Sequence, residues 1–196
     1  MGLGRPRRAG KGLLPPNPKQ WDNEHHALDL REELQLHPDE PLPHDRAFHL
    51  LENVEVAPHG AIPRAEVFKQ HLRNGRSWSG ISIPLPGGGA IVLYNDGHPP
   101  TRVRATLMEE FFHLRLRHPL TAVRVYRDGA ERSFNAQVEN EAYGSGAAAL
   151  VPYKALRAMI DLGLGCTEIA QRLVVSEQLV AFRAKVTRQY KRLVRP

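Results

Sequence analysis

Two adjacent carboxylates and a histidine, Glu109, Glu110 and His113, stand in a segment with a helical pattern of apolar residues. Residues four apart share one face of a helix, so the Glu109 carboxylate and the His113 imidazole can bind the same metal ion. Glu110 is turned by about 100° around the helix axis, where its carboxylate can reach a water molecule on that ion. Two ligands and a base at this spacing are what metal-assisted hydrolysis requires.

The helix that carries these residues is predicted to run from about Thr101 to Arg117, with Pro119 ending it. Most of its circumference is apolar, which is typical of a helix inside a domain. Buried carboxylates are costly unless they are paired or bound to a metal, so the pattern favours a site. The alternative is that Glu109 and Glu110 form ion pairs at the surface with nearby arginines. Those arginines are Arg102, Arg104, Arg115 and Arg117.

A second helix is predicted from about Phe134 to Leu150, and its Glu139 follows His113 by 26 residues. Its small side chains would allow a close approach to the first helix; they are Ala142, Gly144, Gly146, Ala147, Ala148 and Ala149. Glu139 and Glu141 both qualify as a third metal ligand. They are two residues apart and therefore point to different faces.

Together, the two segments resemble the ImmA/IrrE family of metallo-endopeptidases. The first is similar to that family's HExxH helix, with Glu109 in place of the first histidine. The second is similar to the later helix that supplies a third ligand, and its spacing from Glu139 to Pro152 fits without a gap. Tyr143 departs from the family, which usually has Asn or Asp there. Upstream, residues 89–95 and 102–107 resemble the family's strand and lead-in, so the similarity covers about residues 60 to 155.

The resemblance implies an α+β fold, namely a zincin-like metallopeptidase domain with an active-site helix and a small antiparallel sheet. It assigns Glu109, His113 and Glu139 as metal ligands and Glu110 as the catalytic base. Glu139 is preferred to Glu141 because the family's ligand lies four residues before the position of Tyr143. One divalent metal is expected, zinc in the first place and manganese as the alternative, because a Glu-His-Glu set is harder than His-His-Glu.

The implied function is a metal-dependent endopeptidase that cleaves a cytoplasmic helix-turn-helix repressor and so derepresses stress, phage or mobile-element genes. The strand Ala90 to Asn95 is expected to offer its edge to an extended substrate segment. The alternative function is a non-catalytic regulator with a degenerate site that binds DNA or a repressor.

Five further elements are predicted upstream and between the two helices. Ser77–Pro84 and Ala90–Asn95 read as a hairpin around a glycine-rich turn. A short helix is predicted over Leu28–Leu36, another helix begins at Pro63, and a strand covers Ala122–Tyr126.

The C-terminal segment from Thr167 to Arg183 resembles a helix-turn-helix, with Ser176 capping its second helix. The expected core residues are Ile169, Ala170, Leu173, Val175 and Val180. Val174 occupies the turn, where positive φ is unfavourable for a β-branched residue. The basic residues that could meet DNA phosphates are Arg183, Lys185, Arg188, Lys191 and Arg192. The other interpretation is that these helices pack on the catalytic domain.

Composition allows one substantial core in these 196 residues, 41% of which are hydrophobic. The net charge of +6 comes from the two ends of the chain, because residues 1–20 and the last fourteen contain no acidic side chain. We expect a disordered basic arm over 1–20, a metallopeptidase domain over 21–155 and a helix-turn-helix-like region over 156–196. The single cysteine, Cys166, and the lack of a long apolar run favour a cytoplasmic protein with no membrane partner.

Overall fold

The computed structural model describes residues 14–61, 78–119, 123–126, 129–132 and 135–194. These residues form helices and a small sheet, so the predicted α+β class is confirmed. The chain divides into two compact units. We call Pro43–Tyr143 the central unit, and Met1–Leu42 with Gly144–Pro196 the terminal unit. None of the described helices is long and apolar enough to cross a membrane.

The central unit contains two helices, a three-stranded sheet, a separate strand pair and the first half of another helix. In chain order these are α2 (His44–Phe48), β1 (Val54–Pro58), β2 (Gly80–Pro84), β3 (Ala90–Tyr94), α3 (Pro100–Arg115), β4 (Val123–Tyr126), β5 (Gly129–Arg132) and α4 (Ala136–Leu150). The sheet has the order β1-β3-β2, and β4 pairs with β5.

The predicted hairpin is confirmed, because β2 and β3 pair antiparallel around Gly87, Gly88 and Gly89. All three glycines have positive φ, which side chains with a Cβ rarely adopt. β1 pairs with β3 in parallel, so the sheet is mixed rather than wholly antiparallel. Since β3 has a neighbour on both sides, the prediction that it offers an edge to a substrate is wrong. Among the described residues, β1 and β2 are the two edge strands of this sheet, and each has an outer edge without a paired strand.

Helix α3 begins at Pro100, a residue suited to the first helical turn because it has no N–H to leave unbonded. Its apolar side packs on the sheet and on α2, where the Phe111 ring meets Phe48 edge-on with 5.6 Å between centroids. Leu107, Met108 and Phe112 are also buried. The helix therefore lies in the core of the central unit, as its sequence predicts.

The end of α3 reverses the chain direction. Arg117 adopts a left-handed conformation with φ of 55°. Its N–H donates to Leu114 O at 3.0 Å, and the His118 N–H donates to His113 O at 2.9 Å. This pair of bonds is a Schellman motif, which folds the residue after the helix back over the last turn. His118 is thereby returned to the side of His113, although a continuing helix would point it about 140° away.

The terminal unit is helical. It contains α1 (Trp21–Glu33), the second half of α4, α5 (Tyr153–Asp161), α6 (Cys166–Leu173), α7 (Glu177–Val186) and α8 (Tyr190–Leu193). The predicted helix over Leu28–Leu36 thus begins earlier, at Trp21. Residues 14–20, predicted to belong to a disordered arm, contain a 3-10 turn, and Asn17 Nδ2 donates to Val186 O at 2.9 Å. The rest of the predicted arm, residues 1–13, and the helix expected from Pro63 lie outside the described residues.

The small side chains of α4 belong largely to the terminal unit. A Cβ added at Gly144 would lie 2.3 Å from Asn23 Nδ2 of α1, so glycine permits this contact. Arg31 of α1 also donates to Ala149 O at 2.9 Å. Gly144 and Ala149 therefore approach α1, whereas the close approach of these small residues to α3 stays a prediction. The terminal unit thus combines α1 with residues 144–196, and the predicted domain boundary at 155 stays a prediction.

An ion pair inside the terminal unit corrects the prediction for Arg183. This side chain is fully buried and donates to the Glu24 carboxylate and, at 3.0 Å, to Val151 O. It therefore cannot reach a DNA phosphate. Its position in the sequence suggested exposure, but Glu24 supplies the opposite charge that makes burial tolerable.

The two predicted helices of the C-terminal motif are present as α6 and α7. The expected core residues are buried, and Ser176 Oγ accepts from the Leu179 N–H at 3.2 Å. Val174 has φ 55° and ψ 52°, as its place in the turn predicted. Its side chain is 44% exposed, so little apolar burial offsets the backbone strain.

Replacing Val174 by glycine is expected to stabilise the protein by about 0.5–1 kcal/mol, because the left-handed conformation costs a β-branched residue more than it costs glycine. Denaturant unfolding measures the change. The matched control is Val175→Ala, which removes a buried side chain and should cost about 2 kcal/mol. A lower unfolding midpoint for Val174→Gly would show that the strain is absent.

Candidate metal centre

Helix α3 and the first turns of α4 bring three potential metal ligands together within the central unit. One donor atom each from Glu109, His113 and Glu139 lies within 4.8 Å of the other two. His113 Nε2 and Glu139 Oε2 are 3.5 Å apart. Glu109 and His113 meet because they are one helical turn apart on α3. Glu139 reaches them from the N-terminal turn of α4.

The His113 ring is buried and is contacted on both of its nitrogens. Nε2 faces Glu139, whereas Nδ1 lies 3.3 Å from His118 Nδ1. The two imidazole rings meet edge-on with 5.2 Å between centroids. The nitrogen on the carboxylate side is therefore Nε2.

Glu110 lies on a neighbouring face of α3, buried against β2. Ser82 Oγ of β2 donates to Glu110 Oε2 at 2.7 Å. This contact depends on Gly80, because a Cβ there would come within 2.5 Å of Thr106 Cγ2 and 3.4 Å of Glu110 Cγ. The close packing of strand on helix thus holds one oxygen of the Glu110 carboxylate in place. The alternative that Glu110 forms a surface ion pair does not fit its 6% exposure.

The structure separates the two candidates for the third ligand. Glu139 joins the cluster with Glu109 and His113. Glu141 points elsewhere, and its Oε2 lies 3.5 Å from His118 Nε2. Both carboxylates therefore contact a histidine, but only Glu139 contacts the one in the cluster.

Tyr143 lies near the same group of charges. Burial raises the pKa of its phenol above the ordinary value of 10.0, and the Glu109 carboxylate raises it further. The phenol therefore keeps its hydrogen at neutral pH and can donate a hydrogen bond. The sequence does not rank the side chains that could donate to an oxyanion, which are Tyr94, Tyr126, Tyr143 and His118. The side chain of Tyr126 lies outside the described residues.

The three donors fit a divalent cation in their chemistry. Zinc accepts histidine nitrogen and carboxylate oxygen at about 2.0–2.2 Å, which places tetrahedral ligands about 3.4 Å apart. The 3.5 Å between His113 and Glu139 meets this spacing. The widest donor separation, up to 4.8 Å, requires a shift of about an ångström, which carboxylate rotamers can supply.

Sequence reasoning did not find Ser82 and did not assign a partner to His118. Ser82 is 28 residues from Glu110, in a strand whose serine has no spacing signal. His118 is within reach of His113 only because of the helix end described above. The contacts of Ser82 with Glu110 and of His118 with His113 are therefore not predicted by any local pattern of residue types.

Together, these helices bring two carboxylates and a histidine into a group that could hold a metal ion, with the buried Glu110 carboxylate on a neighbouring face of α3. The IrrE N-terminal-like domain of the Peptidase_M78 family matches residues 67–185, more than half of the chain, and the chain belongs to this peptidase family. No curated protein and no solved structure matches the chain significantly.

Glu139→Gln is expected to weaken metal binding more than the 10–100-fold that is typical when a residue supporting a ligand is replaced. The physical reason is the loss of one anionic donor from the group of three. Chelator competition with zinc or manganese measures the affinity. Glu141→Gln, two residues along the same helix, is the control and should have the smaller effect. The opposite order would make Glu141 the ligand.

Ser82→Ala is expected to lower the free energy of unfolding by about 1–3 kcal/mol, because a buried carboxylate loses a hydrogen-bond donor. Urea unfolding of the metal-free protein measures the change. Ser79→Ala is the matched control, since the Ser79 hydroxyl accepts from Arg102 at the surface and its loss should cost at most about 0.5 kcal/mol. Equal effects of the two substitutions would contradict a special role for Ser82.

Proposed function

We propose that this protein is a metal-dependent endopeptidase of the ImmA/IrrE type. The observation that carries the proposal is the Glu109–His113–Glu139 cluster beside a buried, hydrogen-bonded Glu110. The family membership supports peptide hydrolysis as the reaction class. We assign Glu109, His113 and Glu139 as ligands of one divalent metal and Glu110 as the catalytic base.

In the proposed mechanism, Glu110 takes a proton from the attacking water and delivers it to the leaving amine. The Ser82 hydroxyl fixes the orientation of the Glu110 carboxylate during both transfers. The Tyr143 phenol, which stays protonated, is our candidate donor to the oxygen that gains negative charge. When bound, the metal would supply Lewis-acid polarisation of the carbonyl and a lower pKa for water.

The charge and hardness of the proposed ligands affect which metal ion the site would prefer. Two carboxylates and one imidazole are harder and more anionic than the usual two imidazoles and one carboxylate, and harder ligands favour cations such as manganese. We propose zinc as the resident ion and manganese as the alternative. The extra negative charge should also make the bound water less acidic than in a His-His-Glu site.

We propose that the substrate is an extended segment of a helix-turn-helix transcriptional repressor, bound along the outer edge of β2. Hydrogen bonds from Asn95 N–H to Ser79 O and from Leu85 N–H to Gly89 O fix the pairing of β2 with β3. By alternation, the backbone groups of Gly80 and Ser82 face the outer edge. A peptide paired there would run past the strand residue that contacts Glu110.

A second candidate function is a regulator that has lost catalysis, and the specific observation in its favour is Glu109 itself. An anionic carboxylate in place of the first, neutral histidine ligand can lower activity while the scaffold persists. Such a regulator would bind DNA or a repressor. Arg183 is unavailable for DNA, Arg192 pairs with Asp161, and the Lys185 ammonium lies 5.1 Å from the centre of the Tyr190 ring.

Glu110→Gln is expected to reduce peptide cleavage by about 10²–10⁴-fold while metal binding is retained, since the amide cannot accept a proton. The purified protein, loaded with zinc or manganese, is added to a lysate of its source cells. New peptide N-termini are then identified by labelling and mass spectrometry. The proposal expects them within a helix-turn-helix protein and expects them to disappear with Glu110→Gln.

Glu109→His separates the two candidate functions in the same assay. Cleavage by both the natural chain and this variant supports the peptidase. Cleavage by the variant alone, with salt-dependent DNA binding by the natural chain, supports the regulator. Equal cleavage with and without Glu110→Gln rules out the proposed base.

A further inference from the structure

A second histidine and a fourth carboxylate extend the proposed metal centre on the side away from its ligands. His118 Nδ1 lies 3.3 Å from His113 Nδ1, and His118 Nε2 lies 3.5 Å from Glu141 Oε2. The side chains are in contact in the order Glu141, His118, His113. The last contact is at His113 Nδ1, the ring nitrogen that faces away from the cluster. The His118 side chain is only 8% exposed, whereas that of Glu141 is 40% exposed.

The Glu141 carboxylate determines which nitrogens of the two imidazole rings carry hydrogens. A carboxylate can only accept, so the hydrogen of a neutral His118 belongs on Nε2, facing Glu141. His118 Nδ1 then carries a lone pair and accepts from His113 Nδ1–H. When a cation lies between His113, Glu109 and Glu139, the lone pair of His113 Nε2 faces that cation, which is the form that a metal ligand requires. Without a cation, the Glu139 carboxylate 3.5 Å away favours a hydrogen on His113 Nε2, by the same rule that places a hydrogen on His118 Nε2.

We propose that His118 and Glu141 are positioning residues that fix the ring orientation and the tautomer of His113 for metal binding. This inference rests on the metal centre proposed above. It adds a hydrogen-bond acceptor, His118, for His113, the imidazole of that centre. The support matters more here than in a site with two histidines, because His113 supplies the only nitrogen of the cluster.

The helix end explains why this support is available. The left-handed Arg117 and the bond from His118 N–H to His113 O bring the two imidazole rings into edge-on contact. Glu141 follows Glu139 by two residues on α4, so the same helix presents one carboxylate to each histidine. The ligand and its support are thus built from the same two helices.

Zinc affinity by chelator competition is the first test, and zinc chloride is the probe. His118→Ala should weaken binding about 10–100-fold. His118→Asn should bind more tightly than His118→Ala, because the Asn Oδ1 can accept from His113 in place of the lost Nδ1. Glu141→Ala should also weaken binding. The matched control is His59→Ala, which removes another histidine–carboxylate contact of the central unit, 2.7 Å from Asp96, and should leave affinity unchanged.

Nitrogen NMR of histidine-labelled, zinc-loaded protein is the second test and needs no activity. The proposal expects His113 Nδ1–H to be hydrogen-bonded to His118 in the natural chain, with a hydrogen on His118 Nε2, and expects the His113 Nδ1 signal to shift to that of an unbonded N–H in His118→Ala. If His118→Ala does not fold, His118→Asn and Glu141→Ala decide the matter. Unchanged zinc affinity in His118→Ala, or equal losses in the Ala and Asn variants, would overturn the proposal.

Failure of the proposed function has a different signature. A natural chain that binds no zinc or manganese removes the metal centre. A natural chain that binds zinc no more tightly than His118→Ala keeps the metal centre and refutes only the positioning role.

Discussion

The central unit is organised around the burial of ionisable side chains on one apolar helix. Each such group needs a partner close by, because a buried charge without one is costly. For Glu110 that partner comes from a strand, through Ser82, and the strand can approach only because Gly80 has no side chain. For His113 the partners come from the next helix and from the residue just past the helix end. The sheet packed on α3, the chain reversal at the end of α3 and the first turn of α4 each supply one of these partners.

The parts of the site that sequence predicts are those encoded by short spacing. Glu109 and His113 are one turn apart, so their proximity follows from helical geometry alone. Glu139 needed the family resemblance, since nothing in the spacing itself distinguishes it from Glu141. In the fold, the β2–β3 hairpin was predictable from its glycine-rich turn. β1 was not predicted, because Val54–Pro58 is a short segment without strict alternation that gains its place by parallel pairing with a strand 36 residues away.

Where local reasoning failed, contacts distant in sequence or a break in regular geometry decided the outcome. A continuing helix would turn His118 about 140° away from His113, whereas the helix ends at Arg115 and the chain reverses. Arg183 looked like one of several basic residues on an exposed surface. Its partner Glu24 is 159 residues away, in a helix whose role the sequence did not indicate. Similarly, the glycine and alanine run of α4 was correctly helical, but its neighbour could not be identified from composition.

The helix termination at Arg117 has a consequence for how related chains should be aligned. The hydrogen bond from His118 N–H to His113 O closes a Schellman motif of six residues, which fixes the number of residues between the two histidines. An insertion or deletion there would move the His118 imidazole away from His113. By contrast, the exposed turn at Gly87 and Gly88 has open space around it and tolerates changes in length. A search pattern for chains built like this one should therefore include the five-residue offset to the second histidine as a fixed quantity.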